Sequence, residues 1–263
     1  MPLPEQLHRS WIALDDLVAD VLPATWGAVV TDARFPDVWD TNYARVDVAT
    51  EVSVEQIEAD LLPALAHAGA EVEHVVTFHH EAHGDLLAEF SSRGHRISWD
   101  LAMVLDGAPG RQGALKEDVA VEELPPGDEL WTAAAVSMRD VFAIEPAAAV
   151  EQLLTLERAV LAPAGKRWFA VRDDDGRPVS LGTLLVLEGT GYIDNVATDP
   201  SARGRGYAGA IVTRIAQETR RAGAGGPFLL SDPGSPGVVR FYERLGFSPV
   251  GFLASTKGPM PAA

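Results

Sequence analysis

The hydrophobic positions along this chain alternate between a helical and a strand spacing. Trp11, Leu14, Val18 and Leu22 recur at intervals of three and four residues, which predicts an amphipathic helix over residues 10–22. Short apolar runs bounded by turn residues predict strands between such helices. Helices are expected over residues 10–22, 53–69, 84–94, 126–143, 145–162, 206–222 and 236–245. Strands are expected over residues 26–33, 38–48, 72–80, 96–105, 119–124, 191–198, 226–232 and 249–255, with a hairpin over 167–187.

Serine residues stand where three of these helices begin. Ser10, Ser53 and Ser235 are each expected to occupy a helix N-cap, where the hydroxyl can accept a backbone N–H. Gln56, three residues after Ser53, completes the pattern of a capping box. Pro236 follows Ser235 at a position that suits the first residue of a helix.

The order of elements predicts an α/β fold in two lobes. Residues 106–118 combine glycine, proline and mixed charges, which is typical of a segment that joins two lobes. We therefore expect one domain over residues 1–112 and another over residues 113–263. Asn42 and Asn195 lie on strands that match in the two halves, and the next strand follows each at the same distance. We interpret this spacing as a parallel duplication.

The segment Arg203–Gly209 (RGRGYAG) lies between a predicted strand and a predicted helix. Its three glycines let the backbone approach a ligand closely, and the N–H groups of the helix's first turn form a site for an anion. Arg203 and Arg205 add positive charge. The segment is neither a P-loop nor a GxGxxG fingerprint. The simpler alternative is a glycine-rich turn that lets the helix pack on the sheet.

Two motifs in the second half resemble one family. The run from Arg203 to Ala208 resembles the Q/R-x-x-G-x-G/A signature of the GNAT superfamily, the GCN5-related N-acetyltransferases. The run VVRFYERLGF, residues 238–247, resembles the family's second conserved segment. The resemblance covers about residues 118–255. It implies GNAT-like lobes, each with a mixed, mostly antiparallel central sheet flanked by helices, and acetyl-CoA as the cosubstrate.

The resemblance also implies which residues bind the cosubstrate. The loop amides would hold the diphosphate, and a distorted strand would hold the pantetheine arm. Ser235 stands where the family often has an asparagine at the start of the last helix. The expected cosubstrate-binding residues are Val196, Ala197, Thr198, Arg203, Gly204, Arg205, Gly206, Tyr207, Ala208, Gly209 and Ser235.

Two residues are candidates for proton transfer. Tyr242 takes the position of the family's tyrosine near the thioester sulfur, where a phenol could protonate the leaving thiolate as a general acid. The alternative for Tyr242 is an apolar-face residue of its helix. Asp194 on the cosubstrate strand is the candidate general base, and Asp232 is a second candidate. Either carboxylate could instead serve in a cap or an ion pair.

The first half lacks the phosphate-binding chemistry. The matching register places Thr50–Gln56 (TEVSVEQ) where the second half has its glycine-rich loop. This stretch contains neither glycine nor arginine, and the carboxylates of Glu51 and Glu55 would repel a diphosphate. We therefore expect a degenerate GNAT-like lobe that does not bind CoA.

Composition excludes several other classes of function. The formal net charge of −17 disfavours binding to nucleic acid or to anionic membranes. No cysteine is present, which excludes disulfides and a thiolate nucleophile. No apolar run approaches the roughly 18 residues of a membrane span, and the N-terminus does not resemble a signal peptide, so a cytoplasmic protein is expected. The cluster His79, His80 and His83 is expected to belong to a loop and to bind no metal.

The expected function is transfer of acetyl from acetyl-CoA to a primary amine of a small molecule or peptide. Direct attack by the amine is expected, because no cysteine can carry the acyl group. One alternative is a non-catalytic protein that binds or senses acetyl-CoA. Another is a tandem acyltransferase that resembles mycothiol synthase. The sequence is also compatible with a homodimer.

Overall fold

A computed structural model of the chain describes residues 4–105 and 119–260. Its helices are α1 (Glu5–Val18), α2 (Val54–Ala68), α3 (Gly84–Ser92), α4 (Asp128–Val136), α5 (Ala147–Leu156), α6 (Tyr207–Arg221) and α7 (Pro236–Arg244). Its strands are β1 (Asp20–Ala24), β2 (Gly27–Thr31), β3 (Tyr43–Val46), β4 (Val72–Thr77), β5 (Arg96–Val104), β6 (Glu122–Leu124), β7 (Arg167–Arg172), β8 (Pro178–Leu187), β9 (Thr190–Thr198), β10 (Gly225–Ser231) and β11 (Ser248–Pro259). Short π-helical segments extend α4 over Ser137–Val141 and α5 over Glu157–Leu161.

The chain divides into two compact units. Unit 1 comprises Met1–Ala102 and Val250–Ala263, and unit 2 comprises Met103–Pro249. The expected boundary between residues 112 and 113 lies outside the described residues. The expected second domain extends to residue 263, but Val250–Ala263 belong to unit 1. The reason is that β11 pairs with β4, from Ala254↔Thr77 to Pro259↔Val72. The interpretation of the halves as a degenerate and an active domain stays a prediction.

Unit 1 contains a mixed sheet in the order β1-β2-β3-β4-β11-β5. The β1/β2, β2/β3 and β4/β11 pairs are antiparallel, and β3/β4 is parallel. Ile57, Leu61 and Leu65 recur at helical spacing along α2 and are fully buried in the core beneath β2, β3 and β4. The helical pattern expected over residues 10–22 is wrong at both ends. Ser10 lies buried inside α1 with its hydroxyl donating to Gln6 O, and Leu22 belongs to β1.

Unit 2 contains a mixed sheet in the order β10-β9-β8-β7-β6. The pairs from β6 to β9 are antiparallel, and β9/β10 is parallel. The hairpin expected around Asp175–Gly176 is confirmed, with Gly176 at φ +81° in the turn between β7 and β8. The expected fold class is therefore confirmed, because mostly antiparallel sheets are flanked by helices in each unit.

Helix α6 packs closely on β8 and β9. Ile211, Val212 and Ile215 form its buried face, as the sequence pattern predicted. A Cβ at Gly182 on β8 would lie 2.6 Å from Cγ2 of Ile211. Glycine at position 182 therefore allows the helix that follows the glycine-rich loop to sit directly on the sheet.

Gly182→Ala is expected to lower the free energy of unfolding by about 1–3 kcal/mol, because the added methyl group overlaps Ile211 and the helix must move. The matched control is Gly237→Ala on α7, where a Cβ would meet no atom within 4 Å. Urea denaturation of both variants measures the difference. A Gly182→Ala protein as stable as Gly237→Ala would contradict the close packing.

Candidate functional site

The loop before α6 leaves backbone donors exposed in unit 2. Gly204 and Gly206 have φ values of +77° and +85°, a region that favours glycine. Gly206 is the N-cap of α6, and no side chain caps the helix. The first turn contains no acidic residue. Because the first N–H groups of a helix lack intrahelical partners, this end of α6 offers donors and a positive dipole to an anion.

The two arginines of the loop lie in different surroundings. The Nε of Arg203 donates to the carbonyl of Thr198 at 3.3 Å, which ties the loop to the end of β9. Arg205 and Tyr207 line a cavity of about 460 Å³ whose wall also includes Arg172 and Asp174. The guanidinium of Arg172 already pairs with carboxylates of Glu122 and Glu129.

The corresponding helix of unit 1 begins differently. Ser53 Oγ accepts the N–H of Gln56 at 3.3 Å, and Gln56 Oε1 accepts the N–H of Ser53 at 2.9 Å. The expected capping box is therefore confirmed, and it satisfies donors that α6 leaves exposed. Glu55 adds a negative charge in the first turn. The capping box and the carboxylate of Glu55 disfavour an anion at the start of α2, and the absence of a CoA site in unit 1 stays a prediction.

Strands β9 and β10 separate along their length. Their parallel pairs are Gly225↔Thr190 and Phe228↔Tyr192, and within the described residues no pair lies beyond Tyr192. Yet β9 continues to Thr198 and β10 to Ser231. In unit 1, by contrast, the parallel pairing of β3 with β4 continues to Val46↔Thr77, the last residue of each strand. Unit 2 therefore has an opening between two parallel strands at the level of Val196, Ala197 and Thr198.

A β-bulge lies on β9 beside this opening. Leu181 pairs with Ala197 and Thr183 pairs with Asp194, so that Asn195 and Val196 both face Gly182. Asn195 has φ +52°, which is uncommon for a residue other than glycine. Hydroxyl groups of β8 bond to carbonyl groups on either side of the bulge, from Ser180 to Ala197 O at 3.0 Å and from Thr183 to Asp194 O at 2.9 Å.

A buried cluster of charged groups adjoins the bulge. The Nζ of Lys166 lies 2.6 Å from Glu157 Oε1 and 3.2 Å from Asp194 Oδ2. The side chains of Lys166 and Glu157 are buried, whereas that of Asp194 is 38% exposed. Burial lowers the pKa of Lys166, but the two carboxylates outweigh it and the pKa is raised. The ammonium group therefore stays charged, and two carboxylates share one cation.

Tyr242 is buried on α7 with only 7% of its surface exposed. Burial and the negative charge of Asp194 raise its pKa to about 12. The phenol therefore keeps its proton at neutral pH, so it can donate a proton or a hydrogen bond but does not act as a base. The ring packs on Phe241 and Phe247, with centroids 5.0 and 5.8 Å away.

The other candidates at the start of α7 interact with each other. Ser235 occupies the N-cap position and Pro236 follows it, but the expected side-chain cap is wrong. The hydroxyl of Ser235 instead donates to Asp232 Oδ2 at 2.9 Å, and Asp232 Oδ1 accepts the N–H of Gly234 at 2.7 Å. Asp232 therefore orders the loop before α7.

The cluster His79, His80 and His83 lies just beyond the end of β4 in unit 1. His79 Nε2 donates to the carbonyl of Asp47 at 3.0 Å, and His83 Nε2 donates to the carbonyl of Thr50 at 3.0 Å. Burial lowers the pKa of His83. Among the residues that the structure describes, no group of three or more His, Cys, Asp or Glu side chains could hold a metal ion. Over residues 4–105 and 119–260, no helix is long and apolar enough to cross a bilayer.

Sequence reasoning missed Glu157, Lys166 and Asn195. Glu157 carried a usable signal, because it falls between Leu153 and Leu161 at four-residue spacing, on a face that the helical pattern assigns to the core. A charged residue on such a face requires a partner. Nothing in the sequence around Lys166 identified it as that partner.

Comparison with known proteins gives similarity over most of the chain. Residues 129–247 match the acetyltransferase (GNAT) family. A mycothiol acetyltransferase from Beutenbergia cavernae is 29% identical, over 71% of this chain and 68% of that protein. A GCN5-related N-acetyltransferase from Kribbella flavida superposes with a TM-score of 0.62 at 18% identity, covering 96% of each chain. A conserved protein of unknown function from Staphylococcus epidermidis gives a TM-score of 0.71 at 14% identity, covering 93% of this chain and 96% of that one.

Proposed function

We propose that this chain, whose residues 129–247 match the acetyltransferase (GNAT) family, moves acetyl from acetyl-CoA to a primary amine by direct attack. The family makes the protein an acyltransferase. The observation that supports acetyl-CoA as the acyl donor is the uncapped N-terminus of α6 beside the opening between β9 and β10. Unit 1, whose run β1-β2-β3-α2-β4-α3 corresponds to β7-β8-β9-α6-β10-α7 of unit 2, lacks both features.

The cosubstrate would bind in two parts. The diphosphate would accept hydrogen bonds from the loop and from the first turn of α6, over Arg203–Gly209, with the two arginines adding charge. The pantetheine arm would lie along Val196, Ala197 and Thr198, where β9 has separated from β10. Ser235 at the start of α7 would lie at the other side of the arm.

Acyl transfer then needs two proton movements. The amine nitrogen attacks the thioester carbonyl carbon, a C–N bond forms, and the C–S bond breaks as the tetrahedral intermediate collapses. The nitrogen loses one proton, for which Asp194 is the candidate acceptor, and the CoA thiolate gains one proton from Tyr242. The raised pKa of Tyr242 supports the role of donor. The ion pair of Asp194 with Lys166 leaves one carboxylate oxygen available for the acceptor amine.

One observation favours a more specific class of acceptor amine. The similarity to a mycothiol acetyltransferase extends over 71% of this chain, which is more than the family match alone covers. A second candidate function is therefore a tandem acyltransferase similar to that mycothiol acetyltransferase, whose acceptor would be the amine of the mycothiol precursor that lacks the acetyl group. A cytoplasmic location and a homodimer stay predictions.

Two measurements on the full chain test the proposed function. Titration calorimetry with acetyl-CoA is expected to give saturable binding, and a thiol-release assay is expected to give turnover with at least one amine. The amine panel comprises a polyamine, a lysine peptide, glucosamine and the precursor of mycothiol that lacks the acetyl group. Binding without release on any amine would favour the non-catalytic acetyl-CoA sensor. Absence of binding at millimolar acetyl-CoA would refute both the acetyltransferase and the acetyl-CoA sensor.

Gly206→Leu is expected to weaken acetyl-CoA binding by about a hundredfold or more, because a bulky side chain would enter the space in front of the helix donors. Part of any effect could come from backbone strain at φ +85°. The control is therefore Gly223→Leu, which imposes a similar strain at φ +72° beyond the other end of α6. Equal losses of affinity in the two variants would place the diphosphate elsewhere.

Tyr242→Phe is expected to lower kcat by about 10²–10⁴-fold, because the thiolate leaves without its proton donor. The dissociation constant for acetyl-CoA should change little, since the ring remains. In the unsubstituted protein, kcat should show no alkaline limb from Tyr242 below about pH 10, because its pKa is about 12. Wild-type kcat in the variant at every pH would remove Tyr242 from the mechanism.

A further inference from the structure

The buried ion pair of Lys166 and Glu157 has no role in the chemistry proposed above. Both side chains are at most 5% exposed, and their Nζ–Oε1 distance is 2.6 Å. Burying two charges costs desolvation free energy, and well-packed apolar residues of similar volume often give equal or greater stability. The place of the pair in unit 2 therefore calls for an explanation other than stability.

Two consecutive residues of β9 at the bulge, Asp194 and Asn195, contact this pair. In a regular strand, adjacent side chains point to opposite faces. Here Asp194 Oδ2 accepts from Lys166 at 3.2 Å, while Asn195 Nδ2 donates to Asp194 Oδ2 at 3.0 Å and reaches Glu157 Oε1 at 3.5 Å. The side chains of Asp194 and Asn195 therefore lie on the same side of the strand. The bulge and the φ of +52° at Asn195 turn its side chain toward that of Asp194.

The conformation at Asn195 needs such support. A non-glycine residue in the left-handed region is strained and persists only where its surroundings hold it. The amide of Asn195 is held by two carboxylates, and Lys166 fixes both of these carboxylates. Burial and the charge of Asp194 raise the pKa of Glu157, and Lys166 opposes them. Without the lysine, the protonated form of Glu157 would be favoured, and neither carboxyl group would be fixed beside Asn195.

We propose that Lys166, clamped by Glu157, is a positioning residue that holds the Asn195–Val196 bulge and so sets the direction of the backbone from Val196 to Thr198. The proposal rests on the proposed function in one respect, namely that the pantetheine arm lies along this backbone. Lys166 itself touches neither the cosubstrate nor the acceptor. Its effect on cosubstrate binding is transmitted through the strand.

The choice of variants follows from the charges. Lys166→Met alone would leave Glu157 buried without a cation and could prevent folding. The test variant is therefore the double substitution Glu157→Gln/Lys166→Met, which removes both buried charges. Glu157→Gln alone is the conservative variant, because its amide oxygen can still accept from Lys166 and Asn195. Asp15→Asn/Arg45→Met removes an equally buried pair in unit 1, where the side chains are 2% and 5% exposed.

Hydrogen exchange on the full chain without ligand is the first measurement. The double variant is expected to exchange the amides of residues 195–198 about tenfold faster than the wild type. Glu157→Gln and the unit 1 double variant are expected to leave these amides unchanged. Equal exchange in the double variant and in the wild type would overturn the proposal.

Ligand affinity is the second measurement. Acetyl-CoA should bind the double variant about tenfold more weakly, whereas adenosine 3′-phosphate 5′-diphosphate, which lacks the pantetheine arm, should bind within about twofold of wild type. Equal weakening of both ligands would indicate general damage and overturn the proposal. If the wild type binds neither ligand, the proposed function fails, and the exchange of residues 195–198 alone decides whether Lys166 holds the bulge.

Discussion

The candidate site of unit 2 depends on two interruptions of regular backbone hydrogen bonding, one at the first turn of α6 and one where β9 stops pairing with β10. Every buried N–H and C=O group requires a hydrogen-bond partner, and regular sheets and capped helices supply one. Unit 2 departs from this rule at two neighbouring places, the first turn of α6 and the separated part of β9. Water can satisfy such groups in the free protein, and a polar ligand can replace that water. A site made of main-chain donors depends less on side-chain identity than on backbone direction, and this is why the bulge at Asn195 matters.

Unit 1 shows the same arrangement with the donors satisfied. Ser53 and Gln56 close the first turn of α2, and β3 pairs with β4 to the end of both strands. His79 and His83 bond to carbonyl groups just beyond β3. The runs β1-β2-β3-α2-β4-α3 and β7-β8-β9-α6-β10-α7 have the same order, and at one end of the sheet they differ in these polar contacts. A lobe can keep this fold whether or not it has a ligand site, because most core residues of α2 lie away from the start of the helix.

Much of the fold followed from local sequence signals. The hairpin at Gly176, the glycine-rich turn before α6 and the buried face of α6 each depend on residues close together in the chain. The contacts that distinguish the site are of longer range. Glu157, Lys166 and Asp194 come from a helix end, a strand start and a strand interior, and no spacing rule connects them. The separation of β9 from β10 depends on sheet register, which a pattern of apolar residues does not fix at a bulge. The position of α1 was missed because Leu22 continues a helical spacing into an edge strand.

The pairing of β11 with β4 has a consequence for how the protein is made. Residues 250–259 complete the sheet of unit 1, but they leave the ribosome only after all of unit 2 has been synthesised. Nascent chains usually fold from the N-terminal side, one domain at a time. Unit 1 cannot follow that order, because one edge of β4 stays open until translation has passed Pro249, and an open edge can pair with another chain. Translation speed through the second half of the message, and protection of that edge by chaperones, therefore bear on the yield of native protein.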